Sequence, residues 1–384
     1  MLAEGVEFAR KKKLDKAQPV FERALDHWQV HAQARLYLRI LEDIERKQIK
    51  KKVGVEIFKA LHEDSKGKPE KGLKKLDKLR KKNVAYFPLY LVQADILANL
   101  ERHDEAEAAL AEAVALAPDS ALPLLYYGRY QAKMRAPDQA VERFTQALEL
   151  EPDLAIAHFE RGFVLCVAKK YDRAIRDFEA AAQAYPDWMK SSVVNEAYYG
   201  RGLYWLQKKS YRKAVVAFDR AIEVNPDYVY SYLNRGLAYK GLKSYSKALR
   251  DFDHCVELDP NFREAYYQRA ATNFDRGRYS KAVPDFVKVL ELDPSDKRTR
   301  LKLGQTYYRL RKYNQAARQL NELLKQDPNY YWAYYWLGYA YKDAGKRNQA
   351  TAAFRQFLAL VPKKYYKQIA HAEVEIQKMK AARR

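Results

Sequence analysis

Apolar and polar positions alternate at helical spacing along this chain, and between residues 87 and 362 the pattern repeats in a fixed register. Prolines mark it: Pro118, Pro152, Pro186, Pro226, Pro260, Pro294, Pro328 and Pro362, spaced by 34 residues except for one step of 40. Twelve residues before each proline stands an alanine: Ala106, Ala140, Ala174, Ala214, Ala248, Ala282, Ala316 and Ala350. Twelve residues earlier again stands a Gly or Ala: Ala94, Gly128, Gly162, Gly202, Gly236, Ala270, Gly304 and Gly338. Four residues after each alanine comes Leu110, Phe144, Phe178, Phe218, Phe252, Phe286, Leu320 or Phe354. This register predicts two amphipathic helices per unit, joined by a short turn and ended by the proline. The small residue of the first helix is expected to face the alanine of the second, so that the backbones approach closely. The aromatic one turn further on fills the space between units. One hairpin cannot bury its apolar face alone, so the units must stack.

Eight units follow from the register: 87–120, 121–154, 155–188, 195–228, 229–262, 263–296, 297–330 and 331–364. Six extra residues, 189–194, lie after the third, with Trp188 just before them. Residues 53–86 are in phase through Ala60, Gly72 and Leu76, although Val84 replaces the proline. Residues 1–52 read as a degenerate repeat on Gly5, Ala17 and Phe21, then one long helix over 31–52 with a basic end. That helix reads as the elongated first helix of a unit rather than a linker. Pro284 falls inside a second helix, where a mild kink is expected. Residues 365–384 carry a stripe of Tyr366, Ile369, Val374 and Ile376 with Met379 near it, the signature of a helix that caps the open end.

The chain thereby resembles the tetratricopeptide repeat family over at least residues 87–362, most clearly in Tyr334, Leu337, Gly338, Tyr341, Ala350, Phe354 and Pro362. The resemblance implies an all-α fold: a right-handed α-solenoid of stacked helix-turn-helix units. It also implies a scaffold or adaptor whose partner lies in a concave groove lined by the first helices. Some members clamp a terminal carboxylate with Lys, Asn and Arg. Here Arg298 and Lys302 match, Gln268 stands where the middle Asn would, and Leu233 and Leu237 stand where Lys and Asn are needed, so the clamp is incomplete.

Charge changes this picture. The chain carries 71 Lys+Arg against 49 Asp+Glu, a net +22. The excess is uneven: net +10 over 1–86, −7 over 87–154 and +19 over 155–384. A basic field favours acidic partners: acidic peptides, nucleic acid or anionic lipid. The two cysteines, Cys166 and Cys255, suggest no disulfide framework, and no apolar run suits a signal peptide or a membrane span, so a cytoplasmic location is expected.

No HExxH, CxxC, GxxxxGK[ST] or GxGxxG pattern is present in the sequence, so no enzyme activity, cofactor or metal is expected. His27 and His31, four apart, read as surface decoration. Binding is the better expectation. One face of the first helices collects Tyr199, Tyr230, Asn234, Tyr267, Phe274, Arg298, Lys302, Tyr308, Trp332, Tyr335, Trp336 and Tyr339. Aromatic and Arg side chains of this kind dominate binding energy at interfaces. The turns offer a second surface: Lys169, Lys170, Lys208, Lys209, Lys243, Arg278, Arg311, Lys312, Lys346 and Arg347. The leading expectation is a non-enzymatic scaffold that holds a partner segment, favouring acidic ones, in the aromatic groove. The alternative is RNA or another polyanion bound along the basic turns. Oligomeric state is left open by the sequence.

Overall fold

The computed structural model describes residues 1–82 and 84–381. Residue 83, within the expected 53–86 unit, and the last three residues of the expected 365–384 cap lie outside them. All regular structure among the described residues is helical. Cα packing divides the chain into two compact units, Met1–Arg201 and Gly202–Arg384.

The first unit holds the hairpins α1 (Leu2–Arg10) with α2 (Leu14–Ala24), α4 (Lys51–Ser65) with α5 (Pro69–Arg80), and α6 (Phe87–Asn99) with α7 (His103–Leu116). These are followed by α8 (Ala121–Lys133) with α9 (Pro137–Leu150), and α10 (Ala155–Val167) with α11 (Tyr171–Ala184). A single helix, α3 (Trp28–Glu45), lies between the first two hairpins in sequence, and a 3-10 turn spans Pro186–Lys190. The boundary between the units falls inside α12 (Ser192–Gln207). The second unit continues with α13 (Tyr211–Val224), α14 (Val229–Gly241), α15 (Tyr245–Leu258), α16 (Arg263–Asp275) and α17 (Tyr279–Leu292). It ends with α18 (Lys297–Arg309), α19 (Tyr313–Gln326), α20 (Tyr331–Asp343), α21 (Arg347–Leu360) and α22 (Tyr366–Ala381). Within each unit consecutive helices pack antiparallel and consecutive hairpins stack, an α-solenoid arrangement.

Local chemistry sets the element ends. From α7 to α21 each second helix stops two residues before its proline, as at Leu258 before Pro260, because the residue preceding a proline avoids the helical region. The inter-helix turn puts one residue in the left-handed region: Lys169, Lys209, Lys243 and Arg311 at φ of 56–59°, with Gly277 and Gly345 in the same role. The following N–H then reaches back to close the helix end, as Ser244 N–H does on the Tyr239 carbonyl at 2.8 Å.

The small position meets the alanine as expected at Gly162 and Gly304, where a Cβ would lie 3.1 and 3.6 Å from the Ala174 and Ala316 carbonyl oxygens, but the side chain beyond the alanine lies closer. A Cβ on Gly128 would lie 2.7 Å from the Phe144 ring, on Gly236 2.6 Å from Phe252, and on Gly338 2.6 Å from Phe354. The glycine therefore seats the aromatic four residues beyond the alanine, rather than chiefly the alanine itself. The ring is fully buried at Phe144, Phe178, Phe218, Phe252, Phe286 and Phe354.

A ladder of arginines joins successive hairpins, each anchored on a buried aspartate of its own hairpin and reaching a more exposed group on the one before. Arg235 makes two hydrogen bonds to Asp251 on its own second helix (2.7 and 3.0 Å) and one to Asp219 on the preceding one (2.7 Å). Arg269 repeats this with Asp285 and Asp253. Arg161 does so with Asp177 and the Thr145 hydroxyl.

Several expectations are corrected. The helix expected over 31–52 ends at Glu45. Lys47 adopts a left-handed φ of 59° and α4 starts at Lys51, so residues 31–52 are not one helix. Nor is α3 the first helix of a hairpin: it packs chiefly on α2 before it, touches α4 only lightly, and also meets α8 and α10. Pro284 lies inside the second helix α17, where the sequence placed it. In α22 the buried stripe is Ala372, Ile376 and Met379, packed on Phe354 and Phe357, while Tyr366 and Val374 are exposed.

Gly236→Ala should destabilise the chain by about 1–3 kcal/mol despite the better helix propensity of alanine, because the added methyl overpacks against Phe252. Adding Phe252→Leu should recover part of the loss, read as melting temperature. Arg269→Ala strands Asp285 in a buried site and should cost about 3 kcal/mol, whereas Asp253→Ala, at a half-exposed carboxylate, should cost under about 1 kcal/mol by denaturant titration.

Candidate partner-binding surfaces

In the second unit the first helices α14, α16, α18 and α20 come together on one side, with α14 against α16 and α18 against α20. Along that side cations stack on aromatic faces. Arg298 lies over the Tyr267 ring at 4.1 Å and Lys302 over Phe274 at 4.7 Å. Arg309 lies over Trp336 at 6.0 Å and Lys342 over Tyr339 at 5.0 Å. Each stack but the last joins one hairpin to its neighbour, so the ring of one unit orients the charge of another. Burial pushes the Lys302 ammonium pKa down from its ordinary value. Among the described residues no carboxylate lies within ion-pair distance of Arg298, Lys302 or Arg309. By contrast Lys240 pairs with Asp275 and Lys342 with Glu375 and Asp343.

The expected groove residues fall into three kinds. Arg298 and Tyr230 are exposed, the latter 45% so, with Tyr230 edge-on to Phe262. Tyr308, Trp332, Tyr335, Trp336 and Tyr339 are half-buried in one aromatic cluster: Tyr308 meets Trp336 at 5.6 Å and Tyr335 meets Tyr339 at 5.1 Å. Part of this cluster is structural, because Tyr335 rests on Phe357 and Tyr339 on Phe354 beneath α22. The Tyr308 hydroxyl donates to Asp343 at 2.7 Å. Tyr267 departs from the expectation. It is only 4% exposed, so its part on this face is to carry Arg298. Asn234 turns its amide onto the Tyr230 carbonyl of its own helix. Tyr199 belongs to the first unit and is half-buried there.

The turn cations Lys169, Lys170, Lys208, Lys209, Lys243, Arg278, Arg311, Lys312, Lys346 and Arg347 are all exposed. Consecutive turns are neighbours within a unit: Lys170 lies 3.7 Å from Asp138, and Lys346 donates to Asn314 at 3.0 Å.

The corresponding side of the first unit holds the chain's own helix. Trp28 at the start of α3 meets Phe159 of α10 at 4.8 Å, and Arg35 pairs with Glu151 at 2.9 Å. His31 is not surface decoration. It is buried, its Nδ1–H donates to the Leu25 carbonyl at 2.7 Å, and its ring lies edge-on to Tyr185 and Trp188. Burial lowers its pKa to about 4, so it is neutral at physiological pH. Trp188, 3% exposed, stacks on Tyr185 and donates its indole N–H to the Asp26 carbonyl at 2.9 Å. The residues around 189–194 complete the 3-10 turn that presents this Trp and then open α12. A sequence signal for the docking existed in Trp188 and in the loss of period over 31–52. Both cysteines are buried and free, and no helix among the described residues is long and apolar enough to cross a membrane.

Family profiles agree with the geometry. Tetratricopeptide repeat profiles match residues 59–121 and 128–187, 196–228 and 229–262, 273–329, and 332–364. A sequence comparison with curated proteins finds no match. Among solved structures the chain is similar to a crystal structure of MamA protein, at 23% identity over 45% of this chain and 95% of that one, with a TM-score of 0.43. It is also similar to MamA residues 41 to the end from Desulfovibrio magneticus RS-1, at 20% identity over 43% and 94% with a TM-score of 0.41. A MamA structure labelled MSR-1 follows at 21% identity over 44% and 97%, with a TM-score of 0.40. Repeated hairpins, the spacing of their prolines and small residues, and these profile matches place the chain in the tetratricopeptide repeat family, as a protein-interaction scaffold.

Proposed function

We propose that the second unit binds a helical, acidic segment of a partner protein across α14, α16, α18 and α20. The observation that carries this reading is the set of cations, Arg298, Lys302 and Arg309, held on aromatic rings yet lacking carboxylates of their own. Such charges are preorganised for a ligand carboxylate, because their side chains are already fixed by stacking. The Trp336 and Tyr308 rings beside them supply apolar contact area. A helix is the favoured occupant because α3 shows that first helices of this chain accept one: α3 lies on α8 and α10 through Trp28 and Arg35. Catalysis has no part in this reading.

A second reading has its own support. The ten turn cations are exposed, and such a set suits a polyanion such as RNA.

The test is capture of a partner from nuclease-treated native lysate, followed by titration with the purified partner. Arg298→Ala with Arg309→Ala should weaken binding at least about 30-fold, the effect of losing one interfacial hot spot. Lys208→Ala with Lys243→Ala and Lys312→Ala should change it less than about threefold. The reverse pattern, with a steep fall of affinity in salt and loss of capture after nuclease, selects the polyanion reading.

A further inference from the structure

Beneath α3 the first unit contains a cleft of about 560 Å³, within the size range of small-ligand sites. Its walls come from α3, α4, α6, α7, α8 and α10, and its aromatic lining is Trp28, Tyr37, Tyr126, Tyr130 and Phe163. The polar lining is unbalanced. Glu160 is matched by Arg129 at 3.0 Å, and Lys133 is held by the Asn99 side-chain oxygen at 3.4 Å. Asp64 and Asp95 have no side-chain hydrogen bond or ion pair among the described residues. Gln33 Oε1 is buried without a donor, and the hydroxyl of Tyr126, a residue only 3% exposed, has no partner. The unmet groups are thus mainly acceptors: two half-buried carboxylates and, where an unmet polar group is costly, the buried Gln33 Oε1.

We propose that this cleft binds an organic cation, an aliphatic ammonium or guanidinium, with Asp64, Asp95 and Gln33 Oε1 accepting its N–H groups. An ammonium has three N–H donors, one for each of the Asp64, Asp95 and Gln33 side chains. The rings of Trp28 and Tyr37 favour the same charge. An anion would meet two carboxylates, and the Arg129 guanidinium is already engaged. The walls α6 and α8 also fall in the one acidic stretch of the chain, residues 87–154, net −7.

Burial raises the Asp95 pKa to about 6, and Asp64 is raised for the same reason. The other groups facing Asp95 are Tyr37 from α3, Tyr126, Arg129 and Lys133 from α8, and Glu160 from α10. Burial pushes the Tyr37 and Tyr126 hydroxyls further up and the Arg129 guanidinium is raised too, so none of the three changes charge between pH 5 and 7. Glu160 is also raised by burial, but Arg129 opposes the rise. A bound cation requires the ionised carboxylate, so affinity must fall as pH drops through about 6.

The experiment is calorimetric titration of the full chain with cadaverine and agmatine as free cations. A capped Ala-Lys-Ala tripeptide serves as a side-chain cation and glutarate as the anionic control. Saturable binding of a cation, weakened at least tenfold by Asp95→Asn and about tenfold between pH 7 and pH 5, supports the site. Glu112→Gln, at an exposed residue away from the cleft, should leave affinity unchanged. Tighter binding of the tripeptide than of cadaverine identifies a partner's lysine, and the opposite order a free amine. The unliganded Asp95→Asn chain should melt no lower than wild type at pH 7, so that lost binding cannot be ascribed to unfolding. No saturable heat with any cation at millimolar concentration, equal affinity in Asp95→Asn, or preferential binding of glutarate overturns the proposal.

Discussion

One contact sets the geometry of the array: a phenylalanine ring pressed onto a residue without a side chain. With any Cβ at Gly128, Gly236 or Gly338 the ring could not lie where it does, and the two helices would separate. The close approach fixes the hairpin, the hairpin fixes which faces remain apolar, and those faces force neighbours to stack. Where the first helix carries Ala270 or Ala94 instead, the facing residue is Phe286 or Leu110, so the constraint varies in degree between units. Specificity between hairpins comes from elsewhere. The arginines at 161, 235 and 269 reach both their own second helix and the one before, fixing register through directional bonds.

Much of this was legible in the sequence because it is local and periodic. Helix limits followed the prolines, and the hairpins followed the small residues, since both depend on partners within about twenty residues. The arginine ladder was not read from the sequence: Arg and Asp stand sixteen residues apart in phase with the repeat, but the pairing shows only once one hairpin is stacked on the next. The place of α3 was not legible. It depends on residues more than a hundred positions apart, such as Arg35 with Glu151, and no period marks such a pairing. His31 illustrates the same limit: its spacing from His27 suggested a surface, while the rings that bury it come from Tyr185 and Trp188.

The aromatic face of the second unit was legible in composition but not in division of labour. Residues that share a helix face do not share a role. Tyr267 is covered by the guanidinium it supports, and Tyr335 and Tyr339 are half committed to Phe357 and Phe354, leaving Arg298, Arg309 and Tyr230 more open. Neighbouring hairpins decide which side chain ends uppermost, and that information is spread over some thirty residues.

The indole bond from Trp188 to Asp26 spans 162 residues. Repeat arrays ordinarily behave as one-dimensional chains, losing terminal hairpins one at a time without disturbing the middle. A link from the amino-terminal segment to the end of the fifth hairpin removes that freedom. Melting of α1 to α3 is tied to melting of α10 and α11, so the first unit gains all-or-none behaviour at the expense of a slower search for distant contacts during folding.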